Sequence, residues 1–220
     1  MINIIYEDNH LLVVEKPINI PVQEDSSGDL DFLTMLKEFI KKRDNKPGNV
    51  YLGLVHRLDR PVGGIMVFAK TSKCASRLSE QVRTRTLKKT YYAVVEGKIE
   101  KGGTFKDYLL KDTKTNVVKV DKNGKEAILD YKLIDYKDNL SLVKINLKTG
   151  RSHQIRVQFS SRNYPLYGHN KYNKNAKVGE QIALFAKELE LVHPTTKETL
   201  KFNLELKNKY PWNIFKKDSF

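Results

Sequence analysis

The residues best able to do chemistry stand in three short polar clusters, each at the edge of an apolar run. The first is His56-Arg57-Leu58-Asp59-Arg60, reached directly from Leu52, Leu54 and Val55. A carboxylate between two arginines is stabilised as its anion. At the end of a core strand it is held rigidly, as a catalytic carboxylate has to be. The same spacing also fits a surface loop of ion pairs, so this cluster alone leaves both readings open. The second cluster places Arg83, Arg85, Lys88 and Lys89 ahead of Tyr91 and Tyr92. Cations for phosphates beside a ring for stacking suit an unstacked RNA base. A solvated helix end followed by a strand with a core tyrosine would look the same. The third is Thr149-Gly150-Arg151-Ser152-His153-Gln154-Ile155-Arg156, where Gly150 stops a strand and a helix is expected to begin. A helix N-terminus attracts phosphate, and Arg151 and Arg156 add fixed charge. The plainer alternative is a capped helix with exposed arginines.

Positioning these clusters requires a set of strands and a few helices. Residues 2–6 and 11–15 are apolar runs around Glu7-Asp8-Asn9-His10 and read as a strand pair, broken by Lys16-Pro17. Residues 30–43 carry Leu33, Leu36, Phe39 and Ile40 on one helical face. Residues 51–55 read as a buried strand, 56–63 as a polar loop containing Pro61, and 64–69 as a further strand. Helical spacing returns over 71–83, with Ala75, Leu78 and Val82 inward. Residues 90–96, rich in Tyr and Val, form a strand. Asn123-Gly124 between 117–120 and 127–136 predicts a hairpin. Alternation continues over 140–147, a short helix is expected at 152–161, and last strands at 182–191 and 200–206. Long meanders with about three helices argue for an α+β fold on a mixed, largely antiparallel sheet, built as a single domain over residues 1–220. Gly63-Gly64 and Gly102-Gly103 are isolated pairs with no motif around them.

Charge narrows the choice of partner. Forty Lys and Arg against 26 Asp and Glu leave a net charge of +14. Such an excess favours a polyanion, because each neutralised phosphate releases bound counterions. A lysine-rich genome would produce the same excess. A single cysteine, Cys74, allows no internal disulfide and points to a reducing, cytoplasmic setting. No signal-like start and no apolar stretch of membrane-spanning length is seen. The five histidines, His10, His56, His153, His169 and His193, lack metal-ligand spacing. Neither a Gly-Lys-Ser/Thr phosphate loop, a dinucleotide fingerprint nor a Gly-x-Ser-x-Gly elbow is present.

Taken together, the clusters carry a resemblance. The chain resembles the RluA-like branch of RNA pseudouridine synthases over nearly its whole length. The opening Ile5-Tyr6-Glu7-Asp8-Asn9-His10-Leu11-Leu12-Val13-Val14-Glu15-Lys16-Pro17 is similar to that branch's entry segment. His56-Arg57-Leu58-Asp59 is similar to the sequence around its nucleophile. Lys89-Thr90-Tyr91, with Ala93 and Gly97, fits the second motif, and residues 149–156 fit the third. His193-Pro194 resembles the closing element. Each tetrapeptide is weak alone; their joint occurrence in this order is specific.

The resemblance implies a role for each matching residue. Asp59 is the catalytic carboxylate. Tyr91 stacks on the target uracil, and Tyr92 points to the other face of its strand. Arg156 pairs with the carboxylate, and Arg57 enters the RNA stack as the base is flipped. His56, Arg60, Arg83, Arg85, Lys89, Arg151, His153 and Gln154 are expected to contact RNA or substrate. The chemistry detaches a base and rejoins it through carbon, so no cofactor or metal is expected. The carboxylate either attacks the anomeric carbon, as in retaining glycoside hydrolysis, or helps remove a sugar proton. The partner implied is structured RNA, rRNA or tRNA, bound by a monomer without a separate N-terminal RNA-binding domain. Two departures stand out. Arg60-Pro61-Val62-Gly63-Gly64 follows Asp59 where relatives carry a polar run ending Thr-Ser-Gly. Gly168-His169 stands where they carry Gly-Asp, ahead of Tyr172. The competing readings are an RNA-binding protein that keeps the fold without the chemistry, and a hydrolytic glycosidase. The glycosidase would need a second carboxylate roughly 5–10 Å from Asp59, and the motifs supply none.

Overall fold

The computed structural model describes residues 2–215. In chain order its elements are β1 (Asn3–Glu7), β2 (Leu11–Lys16), α1 (Phe32–Arg43), β3 (Gly53–Leu54), β4 (Gly63–Ala69), α2 (Ser72–Arg83), β5 (Lys88–Glu96), β6 (Gly102–Asp112), β7 (Val117–Val120), β8 (Lys125–Lys137), β9 (Leu140–Leu147), α3 (Gln154–Ser160), β10 (Leu184–Val192) and β11 (Thr199–Asn203). Three helices with a mixed sheet make the architecture α+β, as the sequence predicts. Two compact units form, residues 2–88 with 188–204 and residues 89–187 with 205–215.

In the first unit, β2 pairs antiparallel with β1 on one side and with β4 on the other, running from Leu11↔Ala69 to Lys16↔Gly64. The β1–β2 turn is tied by Asp8, whose Oδ1 accepts the N–H groups of His10 and Leu11 at 2.7 and 2.6 Å. Asx residues favour such turns because the side chain replaces a backbone acceptor. Strand β3 adds to β4, and β11 pairs with the later part of β10. Asp31 caps α1 through Thr34 N–H, and Thr71 caps α2 through Cys74 N–H. Helix α1 buries Phe32, Leu36 and Ile40, one per turn. Leu11, Val13, Ile65, Val67, Leu78, Leu189 and Leu191 share one apolar cluster in this unit.

In the second unit β9 lies between β5 and β8, and β8 pairs with β6, all antiparallel. Here the predicted hairpin is corrected. Strand β7 does not pair with β8. It pairs with residues 109–112 of β6, and β8 then takes residues 102–109 of the same strand. The Asn123-Gly124 turn carries the chain from one stretch of β6 to the next. Gly124 is required there, because a Cβ would lie 2.3 Å from the Leu109 carbonyl carbon. Two smaller differences concern strand ends. Residues 51–55 form only the two-residue β3, with Tyr51 exposed, and β11 stops at Asn203.

Candidate functional site

The first unit holds Asp59 on a loop that leaves β3 and enters β4. His56, at the start of the loop, is buried, and its Nε2 accepts the Val67 N–H at 3.2 Å. Leu58 is buried beside it. A turn closes over Asp59-Arg60-Pro61-Val62, with the Val62 N–H donating to the Asp59 carbonyl at 2.9 Å. The loop is then clamped from β2. The Lys16 side chain has no exposed surface, and its ammonium donates to the carbonyls of Pro17 (2.7 Å), Arg60 (3.2 Å) and Val62 (2.9 Å). An ammonium has three hydrogens, so three carbonyls match its donors. Burial pulls the Lys16 pKa down to about 8, while the Asp59 charge works in the opposite direction. Lys16 therefore ties down two carbonyls of the Asp59 turn, those of Arg60 and Val62, and puts a cation in electrostatic reach of Asp59. Arg57 and Arg60 are exposed; Arg57 reaches Gln23, and Arg60 reaches Ser27 at 2.9 Å and Asp29. Exposed pairs of this kind are weak and exchange readily for a phosphate. Arg83 is exposed and paired with Glu80, and Arg85 follows the helix in a left-handed conformation, φ 63°. Cys74 is buried, with its thiol pushed up to about 11, unsuited to nucleophilic work at neutral pH.

The second unit holds the other two motifs. On β5, alternation separates Lys89, Tyr91 and Ala93 from Thr90, Tyr92 and Val94. Tyr92 joins the cluster of Val94, Leu140, Leu142, Ala183 and Phe215, and its ring has the amines of Lys187 and Lys144 at 5.3 and 5.8 Å from its centroid. Tyr91, also buried, is directed to the opposite face, opposite Ile145 of β9. Lys89 lies on the Tyr91 side. Burial lowers its pKa, and its Nζ is 3.5 Å from where a Gly150 Cβ would stand. The second and third motifs thus meet at Lys89 and Gly150. This geometry gives a first expected result. Tyr91→Ala should lower turnover per folded molecule steeply, beyond whatever stability its own burial contributes. Tyr92→Ala should lower stability by about 3–5 kcal/mol, as buried aromatic truncations do, with turnover per folded molecule largely kept. Steady-state rates and thermal melts on both variants check it.

The third motif is built around two buried glutamines. Gln154 Oε1 accepts from Thr149 Oγ1 (2.8 Å) and Arg151 N–H (3.0 Å), and its amide donates to the Ile128 carbonyl and to Gln158. Gln158 continues to Asp107 and the Ala127 carbonyl. Gln154 therefore pins the motif to β8. Arg151 is exposed and donates to the Glu126 carbonyl. His153 caps α3 in a left-handed conformation, φ 51°, and makes no side-chain cap bond. The short helix buries Arg156, which is 7% exposed, so the alternative of exposed arginines fails for this residue. Arg156 instead donates from Nε and Nη2 to His169 Nε2, at 2.8 and 2.5 Å. Sequence reading singled out His169 only as a departure, and did not connect it to Arg156. Nor did it give Lys16 a role; a lysine closing the buried run Leu11–Val14 was the available signal.

Two features bear on chemistry of other kinds. Among the described residues no group of three or more His, Cys, Asp or Glu side chains is arranged to hold a metal ion. No helix among them is long and apolar enough to cross a membrane.

A sequence profile described as RNA pseudouridylate synthase matches residues 10–161. The chain belongs to that family: it is an isomerase acting on RNA uridine. It is 34% identical over 203 residues to a Bacillus subtilis protein named an uncharacterized RNA pseudouridine synthase, covering 90% of this chain and 67% of the relative. It is 33% identical over 221 residues to ribosomal large subunit pseudouridine synthase D of Buchnera aphidicola, covering 93% and 69%. The fold matches human RNA pseudouridylate synthase domain containing 4 with a TM-score of 0.77 at 24% identity, over 93% of this chain and 88% of that one.

Proposed function

We infer that this enzyme modifies uridines of ribosomal RNA, with Asp59 as the catalytic carboxylate. The observation that carries the assignment is the Lys16 clamp on the Arg60 and Val62 carbonyls of the Asp59 turn: a carboxylate on a fixed backbone turn, inside the segment that matches the family. The substrate class is supported by relatives named for the ribosomal large subunit. A cytoplasmic monomer acting through one catalytic domain is the corresponding setting; the lone buried Cys74 fits a reducing compartment.

The reaction breaks the bond from uracil N1 to ribose C1′ and forms one from C5 to C1′. The C5 hydrogen leaves as a proton and N1 gains one, so atoms balance without a redox partner. Asp59 acts ionised, at C1′ as nucleophile or at C2′ as base. Tyr91 stacks on the uracil, and Arg156 supplies the charge that favours the carboxylate anion. Arg57, Arg60, Arg83, Arg85 and Arg151 are exposed cations for phosphates. His56 and Gln154 contribute by fixing their loops, through Val67 N–H and through Thr149 and Ile128. Extracting the base from its stack costs roughly a few kcal/mol, which those phosphate contacts offset.

The direct test is release of tritium from RNA labelled at uracil C5, because only bond formation at that carbon expels its hydrogen. Purified enzyme with protein-free large-subunit rRNA should release it; release from tRNA alone would move the substrate assignment. A second expected result concerns salt. Affinity for rRNA fragments should fall about 10³-fold or more between 50 and 200 mM salt if six or more phosphates are neutralised. Filter binding across that range checks it, and a flat response would mean that the +14 charge serves another purpose.

A further inference from the structure

His169 is 4% exposed and sits in a closed chain of contacts within the second unit. Its Nε2 receives both the Nε and the Nη2 hydrogens of Arg156. Its ring stacks on Tyr172, with centroids 5.1 Å apart and planes 18° apart. The Tyr172 hydroxyl accepts the Val118 N–H at 2.8 Å and lies 2.8 Å from His153 Nδ1. The Arg156 guanidinium carbon also stands over the Tyr172 ring at 5.8 Å. Two elements outside the third motif, strand β7 and the 168–173 segment, thereby fix one arginine inside it.

The choice of histidine has a chemical consequence. A guanidinium cannot accept a proton or a hydrogen bond. Nε2 must therefore present its lone pair to Arg156, and the Tyr172 N–H donates to Nδ1 at 3.1 Å, so hydrogen-bond donors face both ring nitrogens and disfavour a doubly protonated ring. The neutral state is favoured first by burial, then by the Arg156 cation, by His153 beyond Tyr172 and by Lys171, which together hold the His169 pKa at about 3. A carboxylate at the same position would grip the guanidinium equally well, but would neutralise it.

We propose that His169 is a positioning residue for Arg156, a neutral anchor that fixes the guanidinium by two donors while leaving its positive charge whole for the catalytic carboxylate. The inference rests on the roles assigned above to Asp59 and Arg156. It goes further by naming the group that orients the arginine.

Three variants and one spectroscopic measurement test it. His169→Phe keeps the stack on Tyr172 and removes the acceptor; kcat should fall about 100-fold, the scale of a small misplacement of a catalytic group, with the melting temperature showing that the variant is folded. His169→Gln restores a neutral acceptor and should recover most of that loss. His169→Asp keeps an acceptor but compensates the arginine, so the acid limb of the kcat profile should move to higher pH. A rise in KM alone in His169→Asp would assign Arg156 to an RNA phosphate and overturn the proposal, as would a His169→Phe variant with unchanged kcat. Nitrogen NMR of the histidine ring in the unmodified enzyme should show a neutral ring from pH 8 down to 5; titration in that window would overturn the anchor. The NMR arm needs no turnover, so it separates failure of the anchor from failure of the Asp59 assignment.

Discussion

Asp59→Ala should reduce single-turnover pseudouridine formation by a factor on the order of 10⁴ or more, the scale on which removing a catalytic nucleophile acts. The fold should survive, because Asp59 is half-buried and the turn around it is held by backbone groups: the Val62 N–H on the Asp59 carbonyl, and Lys16 on the carbonyls of Arg60 and Val62. RNA affinity should change little, since phosphate contacts supply most of it. Asp59→Asn keeps the shape and removes the charge, and should be equally inactive. Rapid-quench assays with a parallel binding isotherm separate the two effects. A variant that binds poorly and reacts normally once bound would place Asp59 in recognition instead.

Lys16→Met carries the second large effect, and it divides unequally between stability and rate. Three carbonyls lose their donor, at about 1–3 kcal/mol each where they stay unsatisfied. Against this, a buried ammonium is removed, which relieves a desolvation penalty of several kcal/mol. The two nearly cancel, so the melting temperature should move by only a few degrees, roughly the shift of about 1 kcal/mol in a domain of this size. The turn loses its clamp and Asp59 loses a nearby cation; kcat should then fall about 100-fold. A variant with wild-type kcat would remove Lys16 from the account. The same residue sets a pH dependence. Its folded pKa of about 8 lies below the ordinary 10.5, so between these values the unfolded chain holds more of the proton. Stability therefore gains from Lys16 as pH rises through that window. Activity should do the reverse. Above pH 8 the neutral amine has two hydrogens for three carbonyls, and kcat should decline along an alkaline limb that is absent in Lys16→Met.

Local pattern made much of this legible. The alternation in β5 placed Tyr91 and Tyr92 on opposite faces, and Tyr92 does lie in the apolar cluster. Helices α1 and α2 follow their one-per-turn apolar residues and caps. Strand β6 escaped because only Phe105 and Leu109 are buried in it, a spacing of four that does not alternate, among exposed charged residues. Missing β6 made the Asn123-Gly124 turn look like a hairpin, when both flanking strands pair with the unseen one. The site divides the same way. The resemblance put roles on Asp59, Tyr91 and Arg156, because each lies in a contiguous motif. Lys16 and His169 act across 44 and 13 positions, through contacts that exist only after folding. No local period encodes those contacts. A lysine at the end of an apolar strand and a histidine in an otherwise familiar segment were visible as oddities, and their partners were not.

The most direct measurement is pseudouridine mapping of rRNA from cells lacking this gene and supplied with either the wild-type or the Asp59→Asn coding sequence. At least one position should lose its modification in the deletion, regain it with the wild-type copy, and stay plain uridine with Asp59→Asn. Restoration by the Asp59→Asn copy would contradict the account.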